Sequence, residues 1–452
     1  MAPVRIVAVS YVAAPADAVP PPEPIKLNAM EAQWVVAPVL QHLLLFEGDQ
    51  LPPFDAVVQS LRSSLASTLT SYAPLAGKLH YLADTGEVAI CCRTAGDDGV
   101  RFVVAETDAD ARSLAGDADH DVLTFEQLVP EVDMALLPAP VLAVQATRLG
   151  GGGGVALGFT LHHGVADGRS LWKFVEAWAA VCRGDTPPAP PVFDRSRVKM
   201  PGGEELARSV LRKYAPDLPV VTVPDVWHQD RLRFTRRTFN LDAPRIARLK
   251  QAIARLAEAQ GGAPLRRPPS TFAAVIALAW ASAVRGRSIP AEDEVFLFFL
   301  ADVRDRLDPP AGADYFGACL AGCIARVPAR ELHGEGALAA AAAAIQDAVG
   351  KMVEDPLGCW PGWEFLKLAA ASGLTVPADR FMNVSGSAGF RVYEVADFGW
   401  GKPRRTENVR MNLDGQVALV RARDGAGVQA SVSMLRREHV DEFESEMLKL
   451  LG

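Results

Sequence analysis

Apolar patterns of strand and helix period alternate along this chain, and the alternation is interrupted once, by prolines. Segment 54–71 places Ala56, Val57, Leu61, Leu65 and Leu69 near one helical face. Segments 87–92, 100–105, 141–149 and 155–161 are strand-like, and Gly150 to Gly154 between the last two predict a hairpin with a slack tip. A glycine run can also cradle phosphate, but no GK[ST] follows it. Segment 169–183 is an amphipathic helix, with Leu171, Phe174, Val175, Trp178, Val181 and Cys182 at helical spacing and Gly184 placed to end it. Then Pro187, Pro188, Pro190 and Pro191 open a poorly periodic stretch that reaches about residue 230 and reads as a linker. Beyond it come a β-like segment 231–241, helices 243–259, 271–285 and 337–349, strands 294–301, 390–396, 415–423 and 427–435, and a closing helix 438–450. Such alternation predicts the α/β class. At roughly 150 residues per domain the length suggests about three domains, and two large ones fit as well.

Charge and cysteine usage narrow the function classes. With 46 basic and 54 acidic residues the net charge is −8, which argues against a chain-wide binder of nucleic acid or anionic membrane. It leaves room for a local basic pocket. The 6 cysteines include no CxxC pair, so free thiols in a reducing compartment are expected. Near the start, Val4, Ile6, Ala8 and Ser10 share one face at strand spacing, and prolines from Pro15 onward end the run, which reads as a first strand and not a signal peptide. The longest apolar run, Thr271 to Val284, is about 14 residues, against about 20 for a membrane helix. A soluble cytoplasmic protein is the expectation.

The chemistry centres on two adjacent histidines, His162 and His163, in the segment HHGVADG. They lie at the corner between a strand and a helix, where Gly164 and Gly168 permit sharp turns. Such a corner holds a side chain on rigid elements while it faces a cleft. Histidine there suits general-base work, because its pKa lies near neutrality. Asp167 either orients the imidazole or turns away to pair with an arginine. His42, His80, His120, His228, His333 and His439 carry no such constellation. No further ligand cluster supports a metal site, and no G-x-S-x-G elbow supports a serine hydrolase. A second segment, DFGWGKP (397–403), sets Trp400 between Gly399 and Gly401 after Asp397. It lacks the companion motifs of a kinase and reads as a rigid turn.

HHGVADG and DFGWGKP, in this order and this far apart, resemble the HxxxD and DFGWG signatures of the plant BAHD family of CoA-dependent acyltransferases. Tyr72 to Lys78 (YAPLAGK), Ser270-Thr271-Phe272 and Asp302 to Pro310 (DVRDRLDPP) extend the resemblance over essentially the whole chain. It implies an α/β fold of two similar-sized domains with mixed sheets and flanking helices, like chloramphenicol acetyltransferase, with the active-site channel at their interface. The domains would be 1–185 and 231–452, with 186–230 as the crossover. It implies a cytosolic monomer that needs no metal or bound cofactor, in which His163 deprotonates an acceptor hydroxyl and no acyl-enzyme forms. It implies also that Asp167 serves a salt bridge, for which Arg304 is the candidate partner.

The remaining site residues follow from the same resemblance. Arg266, Arg267, Ser270 and Thr271 are the candidate CoA contacts; the alternative for the two arginines is a solvated loop. Tyr315 to Cys319 resembles YFGNC of the anthocyanin and flavonoid glycoside branch, with Ala318 in place of asparagine. Segment 385–393 resembles a Gly-Ser run of that branch, and Ser385 and Ser387 are candidates near the oxyanion. Malonyl-CoA is the favoured co-substrate and a phenolic glucoside the favoured acceptor; Arg169 is the candidate partner for a malonyl carboxylate. Coumaroyl-type transfer is the alternative, and the rival classes are a carrier-dependent condensation enzyme and a non-catalytic binder.

Overall fold

The glycine-rich tip lets its flanking segments fold back on each other. Leu142–Gly151 pairs antiparallel with Gly154–Leu161, with Leu142 opposite Leu161. The computed structural model describes residues 3–15, 18, 21–92, 99–151, 153–223, 233–259, 265, 267–358, 378–411 and 413–452. This hairpin is the middle of a six-stranded sheet in the order Arg5–Val12, Val100–Asp110, Leu142–Gly151, Gly154–Leu161, Leu40–Phe46 and Arg405–Asn408. The second six-stranded sheet runs Thr235–Leu241, Val428–Met434, Gln416–Arg421, Phe381–Gly386, Glu294–Asp302 and Leu320–Pro328. Both are mixed: Val100–Asp110 runs parallel to Leu142–Gly151, and Phe381–Gly386 runs parallel to both its neighbours. Ile25–Lys26, Glu87–Cys91, Lys78–Leu82 and Ala139–Pro140 form a smaller sheet. The molecule is thus an α/β protein of two domains with mixed sheets and flanking helices.

The amphipathic helices cover these sheets. Helix Gly168–Arg183 starts where the Asp167 side chain accepts a hydrogen bond from the Ser170 N–H, and ends at Gly184. It packs on helix Phe54–Thr68, where the Trp178 indole N–H donates to Leu61 O and Ser64 Oγ at 3.2 and 3.0 Å. Trp178 is fully buried; truncating such a side chain to alanine costs about 3–5 kcal/mol. In the second domain helix Thr271–Gly286, apolar nearly all round, lies between helices Ala337–Glu354 and Arg437–Leu451. No helix of the described residues is long and apolar enough to cross a membrane.

Three sequence expectations need refinement or correction. The linker contains a helix, Gly203–Tyr214, whose buried side is only Ala207, Val210 and Leu211. An apolar stripe that narrow is hard to see in a stretch opened by prolines; acidic Glu204 and Glu205 in its first turn and basic Arg212 and Lys213 in its last suit the helix dipole. Segment 390–396 holds a helical turn, Val392–Val395, not a strand. Strand Arg5–Val12 exists but is a sheet edge with an irregularity between Ile6 and Ala8, and Ile6, Val7, Val9 and Tyr11 are all about half exposed, so its alternation sorts no buried face. In the β-like segment 231–241, Arg236 is buried and donates to the carbonyls of Val409 and Met411 at 2.6 and 3.1 Å.

Candidate active site

The strand Gly154–Leu161 delivers the histidine pair to the end of the first sheet. The His162 N–H donates to Val141 O, and the Val165 N–H closes a turn on His162 O. His162 is buried, with Nδ1 accepting from the Gly164 N–H at 3.0 Å; burial, with a smaller contribution from His163, lowers its pKa to about 3. A neutral His162 therefore belongs to the turn itself. At the loop's exit Gly168 lies tight against Phe390, since a Cβ there would be 2.9 Å from the ring, which would have to shift.

Asp167 does not face His163 with a free oxygen. Oδ1 accepts from the Ser170 N–H at 3.0 Å, while Oδ2 accepts from Arg304 Nη1 at 2.7 Å and from the Cys319 N–H at 3.1 Å. Both partners of the ion pair are buried. Burial pushes the Asp167 carboxyl up, but the Arg304 charge and the hydrogen bonds from Arg304, Ser170 and Cys319 outweigh it and hold the group below the usual carboxylate range. Arg304 also donates to Ser170 Oγ, Gly317 O and Asp302 Oδ1. One guanidinium so ties the histidine loop to the strand Glu294–Asp302 and to the Tyr315–Cys319 segment. Removing one partner of such a pair costs about 3–5 kcal/mol, because the other charge is left buried.

His163 lies in the wall of a cavity of about 490 Å³ bounded by both sheets. That is within the size range of small-molecule sites. Burial lowers the His163 pKa, while its own carbonyl, the Asp167 charge and the Ala166 carbonyl oppose the shift without reversing it. The ring is accordingly a neutral base near pH 7. Its Nδ1 is buried without a hydrogen-bond partner, and its ring lies flat against Trp34, with centroids 4.2 Å apart and planes 7° from parallel.

The other sequence candidates divide. Arg169 lines the cavity, but its guanidinium is engaged by Asp302 at 2.7 Å and Asp305 at 3.6 Å. Arg267 lines the cavity and is exposed, whereas Arg266 lies outside the described residues. Ser270 also lines it, with its hydroxyl capping helix Thr271–Gly286 by accepting from the Ala273 N–H; Thr271 follows as the first helical residue and is not part of the wall. Ser385 and Ser387 line it too; Ser385 Oγ accepts from Gln416 Nε2 at 3.4 Å, and Ser387 Oγ from the Gly389 N–H at 3.0 Å. Asp397, Gly399, Trp400 and Gly401 do not touch the cavity. Asp397 Oδ1 accepts from the N–H groups of Gly399 and Gly401, which hold φ of +100° and +85°. The turn sets Phe398 edge-on to Trp178 and Trp400 edge-on to Phe46. It then releases the chain into strand Arg405–Asn408, whose Thr406 and Asn408 do line the cavity.

Sequence reasoning missed several wall residues, of which His42 corrects a reading of no constellation. Strand pairing places His42 opposite Asn408, and both line the cavity with Trp172 and Arg306. Burial lowers the His42 pKa to about 3, so it is neutral. The only local signal was the position of His42 on a strand; its neighbours are set by pairing. Among the described residues no group of three or more His, Cys, Asp or Glu is arranged to hold a metal ion.

The Transferase family matches residues 8–450. The chain is 30% identical over 438 residues to phenolic glucoside malonyltransferase 1 of Bemisia tabaci, covering 94% of this chain and 91% of that protein. It is 28% identical to agmatine coumaroyltransferase of Arabidopsis thaliana, covering 99% of each. It is 30% identical to malonyl-coenzyme:anthocyanin 5-O-glucoside-6'''-O-malonyltransferase of Salvia splendens, covering 94% of this chain and 92% of that protein. The crystal structure of vinorine synthase superposes with a TM-score of 0.72 at 21% identity, over 99% of this chain and 98% of that one, which shows the shared fold.

Proposed function

The chain belongs to the Transferase (BAHD) family of acyltransferases, and from that premise we propose that His163 is the general base of acyl transfer from acyl-CoA to a hydroxyl of a phenolic glucoside, with malonyl the favoured acyl group. The observation that carries this reading is a neutral, buried imidazole in the wall of a cavity that both sheets bound. Nδ1 is buried, so Nε2 is the nitrogen that meets the acceptor hydroxyl. It takes the hydroxyl proton as the oxygen attacks the thioester carbonyl. The tetrahedral intermediate collapses, the C–S bond breaks, and the imidazolium returns its proton to the departing CoA thiolate. The products are an ester and CoA, and the enzyme ends neutral as it began. A positioned base supplies roughly 10²–10⁴-fold of rate.

Each wall suits a different part of the reaction. Ser385 and Ser387 are the hydroxyls closest in kind to what an oxyanion needs. His42 and Asn408 are polar groups that fit a sugar's hydroxyls. Arg267, and Arg306, which donates to the Asp302 carbonyl, are the cations for CoA phosphates or for a malonyl carboxylate. Burial pushes the Cys319 thiol up, which suits direct transfer without an acyl-enzyme. Domains 1–185 and 231–452 with a crossover between them, a cytoplasmic location and a monomeric state complete the reading.

One observation favours a second donor. Arg169 is already paired with Asp302, and Trp172, Phe272, Phe299 and Phe390 make much of the wall aromatic, which suits a coumaroyl group. The test is release of free thiol from malonyl-, acetyl- and coumaroyl-CoA with a flavonoid glucoside, shikimate or an amine as acceptor. Malonyl-CoA with the glucoside should be fastest, and His163→Ala should lower the rate at least a hundredfold. Equal thiol release by wild type and His163→Ala would sink the mechanism, and acceptance of amines alone would sink the glucoside assignment.

A further inference from the structure

A catalytic imidazole has to be held in one orientation, and in this protein Asp167 does not do it with a free oxygen. Both oxygens of Asp167 are engaged by Ser170, Arg304 and Cys319. The carbonyls of His163 and Ala166 lie near enough to favour the protonated ring, but Nδ1 makes no well-formed hydrogen bond to either. What does meet the ring is the flat face of Trp34, at 4.2 Å and 7°.

Trp34 is itself firmly placed. It is buried, on the single turn Gln33–Val36 that continues from the turn Ala29–Ala32. That first turn is closed by a reciprocal cap between Asn28 and Glu31. Glu31 is buried and held from the rest of the chain by Arg195, at 3.0 Å, and by the Tyr315 hydroxyl, at 3.1 Å. Behind the indole lie Ala37 and Ala318, with Leu300 and Leu320 against them. Ala318 stands where the resembled YFGNC motif has asparagine, so an apolar wall supports the indole at that position.

We propose that Trp34 is the positioning residue of His163: the indole plane, held by the Glu31–Arg195–Tyr315 clamp and the apolar wall of Ala37 and Ala318, fixes the imidazole's orientation by stacking on its face. This rests on His163 being the general base. A stack restrains the ring's tilt while leaving Nε2 free for the acceptor. It also covers one face from water, which favours the neutral ring. The charged and titratable groups around the imidazole are Asp167 with its partner Arg304, Arg169 with Asp302, Arg267 and Arg306 on the cavity wall, and the two neutral histidines His162 and His42.

The test is a graded series of full-length variants, Trp34→Phe and Trp34→Leu, assayed by thiol release with kcat, KM for acyl-CoA and the pH profile of kcat/KM. Trp34→Phe should lose about threefold in kcat and Trp34→Leu roughly ten- to hundredfold, with KM for acyl-CoA unchanged within about twofold. The acidic limb of the profile should move upward in the order wild type, phenylalanine, leucine, as water reaches the ring. An acidic limb that stays in place across the series overturns the proposal, whatever kcat does. If the leucine variant shows no cooperative melt, wild type against Trp34→Phe decides by the same criterion. His163→Ala separates the two claims. If it is inactive and the limb does not move, only the positioning role falls. If it is as active as wild type, the general-base reading falls with it.

Discussion

Arg304 and Asp167 lie 137 positions apart and form one buried ion pair. Nothing in local spacing predicts such a partner; the resemblance supplied Arg304 as the candidate. The caps, by contrast, are local and readable: Asp167 and Ser270 each accept from an N–H three residues on, where their helices begin. Burial at this scale has a pH consequence. His42 and His162 are held neutral to about pH 3 in the fold, whereas a histidine in an unfolded chain titrates near 6.5. Their folded pKa values are depressed, so unfolding takes up protons below that point. Their contribution to stability is therefore complete above about pH 6.5 and is lost as the pH falls toward 3. Denaturant midpoints should decline across that window. His42→Leu, which removes one of the two groups, should flatten the decline, and an identical slope in the variant would contradict the assignment.

Elements show where pattern reading succeeds and where it stops. Helix Gly168–Arg183 and the hairpin before it were legible because their buried faces are wide and their ends are marked by glycine. Helix Gly203–Tyr214 was not, since three buried residues make too narrow a stripe. Strand Arg405–Asn408 is too short for any period to register, and its place in the first sheet is a matter of pairing with Leu40–Phe46. The DFGWG turn acquires its meaning from that strand. Asp397 holds the turn and Trp400 seats it on Phe46, so the strand arrives with Thr406 and Asn408 on the cavity wall. Asp397→Ala should cost about 1–2 kcal/mol in a denaturant titration, as two backbone donors lose their acceptor. In assay, KM for the acceptor should rise while KM for acyl-CoA stays put. A rise confined to acyl-CoA would show that the turn serves the other substrate.

At the scale of the molecule, the first sheet depends on a strand from the far end of the chain. Glu407 on that strand is buried and accepts from Arg405, Ser431 and Thr238, joining the two sheets through polar groups. A chain cut in the 186–230 region should yield pieces that do not fold apart. Residues 1–185 alone would expose the edge of Leu40–Phe46, where Leu43, Leu44 and Leu45 are buried in the whole protein. Co-expressed pieces should associate and regain thiol release; a cooperative, monomeric melt of 1–185 by itself would refute this dependence. The sequence by itself determined the class of fold, the family, and the strand-to-helix corner that presents His163, because these rest on local periodicity and on ordered motifs. The tertiary structure alone decided that Arg169 meets Asp302, that His42 and Asn408 share the cavity wall, and that Trp34 lies flat on the imidazole. Those are contacts between residues far apart in the chain, set by which strands pair and which side chains fill the space between the sheets.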